Sequence, residues 1–223
     1  IEDNTMIFII LNKLLELNLD KILIVVSPNS SDMIEQIKSE LIEKTNYDFN
    51  KISFIVQEKT LGTGHAVKSC LQELKKYLGY KVLIMFADTP LISQNTLYKF
   101  INQKNACSLG VCIKKNPFGC GRIIMKDNFI INSIEEKDCS EEQRLIKITN
   151  TGIYFLNSEL IVNYIDQITN NNAQKEYYLP DLLLILIKNN YKIEPIFIDN
   201  EDEILNVNTK KDLSKAKKLF KHI

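Results

Sequence analysis

The sequence predicts an α/β protein: a Rossmann-like, mostly parallel mixed sheet with helices on both faces, together with a more antiparallel insertion. As far as about residue 102, short apolar runs alternate with amphipathic helical segments, a pattern typical of right-handed βαβ units. From Cys107 onwards, strand-like runs are separated by short turns, which favours antiparallel pairing. Two closely spaced glycines, Gly62 and Gly64, stand where an apolar strand gives way to a helix.

Periodicity, capping residues and turn residues predict the individual elements. We expect helices over residues 5–17, 32–43, 65–78, 93–102, 158–168, 180–188 and 209–220. We expect strands over 21–26, 52–56, 81–86, 107–114, 146–156 and 192–198, and a hairpin of 122–126 with 129–134. The turn Asp127-Asn128 closes this hairpin, Pro180 suits a first helical position, and residues 150–152 interrupt the strand 146–156.

Composition is that of an ordinary soluble globular protein. The chain has 223 residues, of which 45% are hydrophobic and 25% charged, and its formal net charge is zero. The charge balance therefore indicates neither nucleic acid nor an acidic membrane as a partner. The longest apolar runs are far too short to span a bilayer and no signal peptide is visible, so we expect a cytoplasmic protein.

The cysteines predict reduced, structural thiols. There are five of them, none in a C-x-x-C pair, and only two histidines, which argues against a zinc site. Cys120 stands in a loop with no basic partner expected nearby, so the sequence assigns it no chemistry.

The junction between the strand 52–56 and the following helix is the first candidate site. Gly62 and Gly64 would let a ligand approach main-chain amides, and a helix N-terminus favours anions. Gln57, one residue beyond the strand, offers a donor and an acceptor that could recognise the edge of a nucleobase. The alternative is that the glycines serve the turn alone, as in many α/β proteins.

The end of the next strand is the second candidate site. The strand 81–86 leads into Ala87-Asp88-Thr89-Pro90, and ligands of open α/β sheets bind at the carboxyl ends of strands. We expect the two neighbouring strand ends to bring the glycine turn and Asp88 to one crevice, where Asp88 would hold Mg²⁺. The alternative for Asp88 is an ordinary turn residue.

Several motifs resemble those of the sugar-nucleotide pyrophosphorylases. They are Gln57 to Ala66, Phe86 to Ile92, Gly119-Cys120-Gly121-Arg122-Ile123, Glu135-Glu136-Lys137-Asp138, Asn150-Thr151-Gly152-Ile153 and Thr169 to Tyr178. They occur in the order found in that family across nearly the whole chain. The run Asn171-Asn172-Ala173-Gln174 with Glu176-Tyr177-Tyr178 is similar to the uridylyltransferase domain of the bacterial bifunctional uridylyltransferase/acetyltransferases.

The resemblance implies a nucleotidyltransferase fold over residues 1–223, with a nucleotide-binding half, 1–105, and a sugar-binding half with the closing helix, 106–223. It implies that UMP is transferred from UTP to N-acetylglucosamine 1-phosphate, releasing pyrophosphate, for the synthesis of cell-envelope precursors. Such a reaction depends on positioning and on neutralisation of charge by Mg²⁺.

The resemblance also assigns site residues. The uridine-binding positions are Gln57, Gly62 and Thr63, and the metal ligands are Asp88, which is also the catalytic position, and Asn208. The sugar-binding positions are Gly121, Glu135, Asn150 and Tyr178, with Glu176 as a weaker candidate.

For three of these positions the residues alone leave another interpretation open. Asn208 could cap the helix that follows it, and Thr63 could cap the helix after the glycine turn. Glu135 could be one charge in a solvated run.

The chain departs from the family pattern in two places. Nothing in residues 1–20 matches the family's glycine-rich loop and following lysine, so we expect this chain, as written, to bind UTP weakly and turn over poorly. Pro180 stands where the family usually has threonine, which bears on selectivity for the N-acetyl group. The alternatives are therefore a catalytically impaired nucleotide- or sugar-phosphate-binding remnant, or a pyrophosphorylase of the same fold for another sugar. Oligomerisation is expected only through an acetyltransferase domain that this sequence does not contain.

Overall fold

The computed structural model describes residues 1–45 and 49–221, which form two compact units. The first unit contains Ile1–Lys59, Phe86–Tyr98 and Asp202–Ile223. The second contains Thr60–Met85 and Lys99–Glu201.

The first unit is a parallel strand pair with three helices. Its elements are α1 (Met6–Leu15), β1 (Ile22–Val26), α2 (Ser31–Lys44), β2 (Ile52–Val56) and α9 (Lys210–Phe220), and α5 (Gln94–Ile101) begins in it. Strands β1 and β2 run parallel in the register Ile22 to Ile52, and α2 is their connection, as predicted for a βαβ unit. An apolar cluster made of Ile1, Ile9, Leu91, Val207 and Ala216 forms part of the core.

The start of α1 is fixed by a buried carboxylate. The Thr5 side chain is the N-cap of α1, and its hydroxyl and amide both donate to the carboxylate of Glu40 in α2. Lys44 Nζ lies 3.0 Å from Glu40 Oε1 and compensates its charge. Hydrogen bonds and a cation stabilise the ionised carboxyl, so the pKa of Glu40 is lowered although burial alone would raise it.

The second unit is built on a six-stranded mixed sheet. Its strands are β3 (Lys81–Ile84), β4 (Cys107–Ile113), β5 (Arg122–Lys126), β6 (Phe129–Ile134), β7 (Ile148–Asn157) and β8 (Glu194–Phe197). The order is β6-β5-β7-β4-β8, and β3 pairs with β7. Its helices are α3 (Thr63–Ser69), α4 (Leu71–Leu74), α6 (Glu141–Arg144), α7 (Ser158–Tyr164) and α8 (Pro180–Lys188). Most of β7 is buried, as expected for a central strand.

Strand β3 differs from its prediction. It ends at Ile84 and pairs antiparallel with β7, from Lys81 opposite Asn157 to Ile84 opposite Tyr154. The expectation that β3 is the neighbour of β2 was wrong, because strands that follow each other in sequence need not pair in a sheet. Gly62 belongs to the second unit and Asp88 to the first, so a crevice shared by the two stays a prediction.

The turn and interruption predicted in the second unit are present. Asp127 and Asn128 both have positive φ, 49° and 67°, as the two central residues of a type I′ hairpin turn do. In β7 the register against β4 shifts between Leu109 and Val111, and Gly152 has a φ of 77°. Residues 150–152 therefore form a bulge in a strand that otherwise continues.

Candidate active site

The glycine turn of the second unit is held against the segment that precedes α8. Gly62, with a φ of 104°, is the N-cap of α3. A β-carbon on it would lie 2.7 Å from the Tyr177 carbonyl oxygen and 2.9 Å from Cβ of Glu176. Residue 62 therefore needs to be glycine for two reasons, its backbone conformation and the close approach of residues 176–177.

Three hydrogen bonds join the turn to this segment. The Gly64 amide donates to the Tyr177 carbonyl at 2.7 Å, and the Tyr177 amide donates to the Leu61 carbonyl at 2.8 Å. The Thr63 hydroxyl accepts from the Leu179 amide at 3.0 Å. The alternative role of Thr63 as a helix cap was wrong, because Gly62 takes that position and Thr63 is the first residue of α3.

Glu135 and Gly121 form the centre of the predicted sugar site. A β-carbon on Gly121 would lie 3.3 Å from Glu135 Oε1 and 3.5 Å from Oε2, so the carboxylate covers the glycine closely. The main-chain amide of Asn150 donates to the Gly121 carbonyl at 2.9 Å. The structure therefore brings together three of the four predicted sugar-binding residues.

The Asn150 side chain has a fixed orientation. Its Nδ2 donates to the Tyr154 hydroxyl at 2.9 Å, and its Oδ1 accepts from the Gly152 amide at 2.8 Å. Tyr154 is fully buried, and that burial raises the pKa of its phenol. The bulge in β7 thus supplies the amide that holds Asn150 in place.

Glu135 is half-buried, unlike a residue of a solvated charge run. Burial raises the pKa of its carboxyl group, and the negative charges of Asp138 and Asp181 raise it further. Burial and the charge of Asp138 likewise raise the pKa of Asp181. When ionised, such carboxylates only accept hydrogen bonds, which suits them to bind the hydroxyls of a ligand.

Tyr178 is near enough to Asp138 and Glu135 for their charges to act on its hydroxyl group. Its hydroxyl donates to Gln174 Oε1 at 2.9 Å. Burial raises the pKa of Tyr178 to about 12, helped by the charges of Asp138, Glu135 and Glu176. The backbone of Glu176 is held in place by Asn172, because the main-chain amide of Glu176 donates to Asn172 Oδ1 at 3.2 Å.

Pro180 occupies the first turn of α8, as predicted. At this position the missing amide hydrogen costs nothing, because the first helical amides have no partner within the helix. The amide just before it, that of Leu179, is the one satisfied by Thr63. The segment 177–180 thus connects the glycine turn to the carboxylate cluster.

The predicted metal ligands lie in the first unit. Asp88 is half-buried, and its Oδ1 accepts from Asn206 Nδ2 at 3.1 Å. The Val207 amide donates to the Asp88 carbonyl at 2.8 Å, which places Asn208 one residue from a direct contact with Asp88. A carboxylate and an amide oxygen are both ligands that Mg²⁺ accepts, so this pair fits the ion by its chemistry.

Asn208 does not cap α9. The cap is Thr209: its hydroxyl accepts a hydrogen bond from the main-chain amide of Asp212, and its own main-chain amide donates to the Asp212 carboxylate. The alternative role of Asn208 as the cap was therefore wrong. Within residues 1–45 and 49–221 there is no group of three or more His, Cys, Asp or Glu that could hold a metal ion. The proposed ligand set of one carboxylate and one amide is of a different kind.

Gln57 is buried in the first unit at the end of β2. The main-chain amide of Gln57 donates to the Val26 carbonyl at 2.8 Å and extends the pairing of β1 with β2 by one hydrogen bond. Recognition of uracil by its side chain stays a prediction.

Cys120 has a basic neighbour, contrary to expectation. Lys114 Nζ donates to Cys120 Sγ at 3.3 Å. The two are six residues apart, at the end of β4 and in the loop that turns back towards β5, a proximity that only the fold creates.

Sequence reasoning missed four residues that shape these sites: Arg122, Tyr154, Asp181 and Asn206. Asp181 could have been suspected, since it stands three residues after Tyr178 at a helix start. The others carry no local signal, because a buried arginine or tyrosine in a strand is recognised only once its partners are known.

No helix within the described parts of the chain combines the length and apolar character needed to cross a membrane.

Comparisons with known proteins place the chain in a family. The family model described as nucleotidyl transferase matches residues 1–211. A protein of Acanthamoeba polyphaga mimivirus, named "Probable UDP-N-acetylglucosamine pyrophosphorylase", is 38% identical over 226 aligned residues, covering 96% of this chain and 84% of that protein. The bifunctional protein GlmU of Clostridium beijerinckii is 37% identical over 195 residues, covering 86% of this chain and 42% of its own length. The chain thus spans less than half of that bifunctional relative.

Solved structures support the same fold. A UDP-glucose pyrophosphorylase complexed with UDP-glucose superposes with a TM-score of 0.70 at 15% identity, covering 97% of this chain and 88% of that one. The predicted α/β nucleotidyltransferase fold is confirmed. This chain belongs to the nucleotidyl transferase family.

Proposed function

We propose that this chain transfers UMP from UTP to N-acetylglucosamine 1-phosphate, releasing pyrophosphate. The observation that carries the proposal is the half-buried Glu135 carboxylate lying over Gly121, with Asn150 fixed beside it. A carboxylate and a side-chain amide together offer acceptors and donors suited to the hydroxyls of a sugar ring. The identity of 38% to a relative named for this activity supports the same substrates.

The residues take distinct roles in this proposal. Gln57, Gly62 and Thr63 bind the uridine. Glu135 accepts hydrogen bonds from the sugar hydroxyls, while Asn150 and the Gly121 loop hold the ring. Tyr178 lines the side on which the acetamido group lies.

The reaction needs positioning more than acid–base catalysis. The sugar phosphate oxygen attacks the α-phosphorus of UTP and pyrophosphate leaves on the opposite side. Asp88 and Asn208 would hold Mg²⁺, which neutralises negative charge on the phosphates when it is bound. Asn206 orients the Asp88 carboxylate through the hydrogen bond to Oδ1.

The test is pyrophosphate release by the protein in its full native length. UTP or dTTP is combined with Mg²⁺ and with N-acetylglucosamine, N-acetylgalactosamine or glucose 1-phosphate. We expect the highest kcat/KM for UTP with N-acetylglucosamine 1-phosphate. A higher value for glucose 1-phosphate would instead indicate another sugar, and binding of UDP-N-acetylglucosamine without turnover would indicate an impaired remnant.

A pair of variants ties the activity to the site. Glu135→Gln keeps the shape of the side chain but removes its charge, and it should lower kcat/KM for the sugar phosphate by about tenfold or more, since hydrogen bonds to charged groups contribute about 1.5–3 kcal/mol. Glu142→Gln, on an exposed residue of α6, is the matched control and should leave turnover unchanged. Equal activity of both variants would contradict the proposed sugar site.

A further inference from the structure

Arg122 is a fully buried charge at the edge of the predicted sugar site. It follows Gly121 directly, is the first residue of β5, and is 1% exposed. A guanidinium stays protonated in proteins, so this charge must be compensated inside the fold.

The guanidinium contacts three separate segments. Its Nη1 donates to the Cys120 carbonyl, and Nε and Nη2 lie 3.4 and 3.2 Å from the Arg144 carbonyl at the end of α6. Nη1 also forms an ion pair with Glu136, 2.7 Å from Oε2. The planar fork of arginine allows these contacts at once, which a lysine could not reproduce.

These contacts begin where the backbone ladder stops. The pairing of β5 with β6 runs from Lys126 opposite Phe129 to Arg122 opposite Ile134. Gly121 and Glu135 are the next residue on each strand, beyond the last ladder pair. The Arg122 side chain contacts the residue before Gly121 and the residue after Glu135, so it continues the pairing past the end of the ladder.

We propose that Arg122 is a positioning residue for the sugar-phosphate site. Its guanidinium holds the Gly121 loop and the Glu135 segment at the spacing that lets the carboxylate and the loop backbone bind one sugar ring together. The identity of the ligand rests on the proposed function. The spacing itself is a property of the fold and can be measured without substrate.

A buried ion pair is by itself weak evidence for a stabilising role. Replacing a buried ion pair by apolar residues of similar volume is often neutral or stabilising, whereas removing one partner is costly. The double variant Arg122→Met with Glu136→Leu should therefore fold with near-native stability yet lack the contacts to Cys120 and Arg144. Arg122→Lys and Glu136→Gln are milder single changes that keep the experiment informative should the double variant fail to fold.

The kinetic test compares the KM of each substrate. We expect the double variant to raise the KM for the sugar phosphate by about tenfold or more, while the KM for UTP stays within about twofold, with Arg122→Lys intermediate. Lys126→Met, on the exposed far end of β5, is the control and should change neither KM. Native KM values for both substrates in the double variant, or equal losses for both substrates in all Arg122 variants, would overturn the proposal.

Hydrogen exchange separates this inference from the proposed function. In Glu136→Gln and Arg122→Lys we expect faster exchange of the amides of Asp138 and Asn150, which donate to the carbonyls of Glu135 and Gly121. Amides within the β5–β6 ladder should keep their protection. Unchanged exchange at both positions overturns the positioning role whatever the protein catalyses, and absence of turnover in the wild type contradicts only the proposed function.

Discussion

The carboxylate of Glu135 lies so close over Gly121 that a β-carbon on residue 121 would stand 3.3 Å from Oε1. This distance is tighter than ordinary van der Waals contact, so the two residues leave no room for a side chain between them. Any group added to residue 121 must displace the carboxylate that we assign to sugar binding.

The first prediction concerns that contact. Gly121→Ala should raise the KM for the sugar phosphate about threefold to tenfold, up to about 1.4 kcal/mol, because the carboxylate must move by a few tenths of an ångström. Gly121→Val should raise it further, and kinetics with both substrates varied would measure the effect. A series in which the KM for UTP rose instead would assign Gly121 to the nucleotide.

The second prediction concerns the glycine turn. Gly62→Ala should lower the free energy of unfolding by more than Gly79→Ala, measured by urea denaturation. Both glycines have positive φ, 104° and 89°, so both substitutions strain the backbone by about 1–3 kcal/mol. Only at Gly62 does the new carbon also meet other atoms, while nothing lies within 4 Å at Gly79.

The difference between these two variants isolates the clash with residues 176–177. Equal losses would show that the turn can move away from the α8 segment without cost. Activity should fall in Gly62→Ala and persist in Gly79→Ala.

The third prediction is a pH dependence of stability. Burial and the charges of Asp138 and Asp181 raise the folded-state pKa of Glu135, so the folded protein binds its proton more tightly than the unfolded chain. Stability from this group is thus complete at pH values below the ordinary carboxyl pKa and is lost as pH rises through the raised pKa. Glu135→Gln should therefore be more stable than the wild type at pH 7 and equal to it near pH 3.

Chemical denaturation at several pH values measures this, with the exposed Glu142→Gln as the control. Asp181→Asn should show the same sign, because its folded-state pKa is raised as well. If the wild type became more stable relative to Glu135→Gln as the pH rose from 4 to 7, the surroundings assigned to this carboxylate would be contradicted.

The fourth prediction concerns thiol reactivity. Cys120 is half-exposed, whereas Cys70, Cys107, Cys112 and Cys139 are buried. Burial raises the pKa of Cys70 to about 11, and burial raises the pKa of the other three as well. Iodoacetamide should therefore modify Cys120 first, as mass spectrometry of the native protein would show.

Lys114 should assist that modification, because its ammonium donates to the sulfur. Lys114→Met should slow the alkylation, while Lys115→Met, at the neighbouring exposed position, should not. Alkylated protein should bind the sugar phosphate poorly, since Cys120 precedes Gly121. Preferred labelling of a buried cysteine in the native protein would contradict the prediction that Cys120 reacts first.

The fifth prediction separates two asparagines near Asp88. Asp88→Ala and Asn208→Ala should each weaken Mg²⁺ binding, because each removes one of the two proposed oxygen ligands. Asn206→Ala should weaken it less, since Asn206 only orients Asp88 through Oδ1. Mn²⁺ titration followed by electron paramagnetic resonance measures the affinities directly. Unchanged affinity in Asn208→Ala with a large loss in Asn206→Ala would assign the second ligand to Asn206.

Local pattern was sufficient to predict most of the helices and strands. The strand 52–56 and the helix 180–188 were predicted with their observed bounds, because hydrophobic periodicity, glycine and proline act within a few residues. The prediction of one continuous helix over 65–78 was wrong, because the structure divides that stretch into α3, α4 and a 3₁₀ turn.

Properties that depend on distant partners could not be predicted. The pairing of β3 with β7 joins Val82 to Leu156, and nothing within either strand specifies the other. The Lys114–Cys120 contact and the burial of Arg122 likewise follow from where strands begin and end in space. The resemblance to a family supplied the sugar residues, whereas the arginine that ties them together became visible only with its contacts.

The bond between the Thr63 hydroxyl and the Leu179 amide spans 116 residues of chain. The glycine turn is synthesised early, whereas the segment 177–179 that binds it is synthesised more than a hundred residues later. A nascent chain that ends before residue 177 therefore lacks the contacts that fix the turn. Closing so long a loop costs chain entropy, which the packing around α8 must help to offset. The glycine turn should consequently reach its final conformation only after residues 177–179 have packed against it.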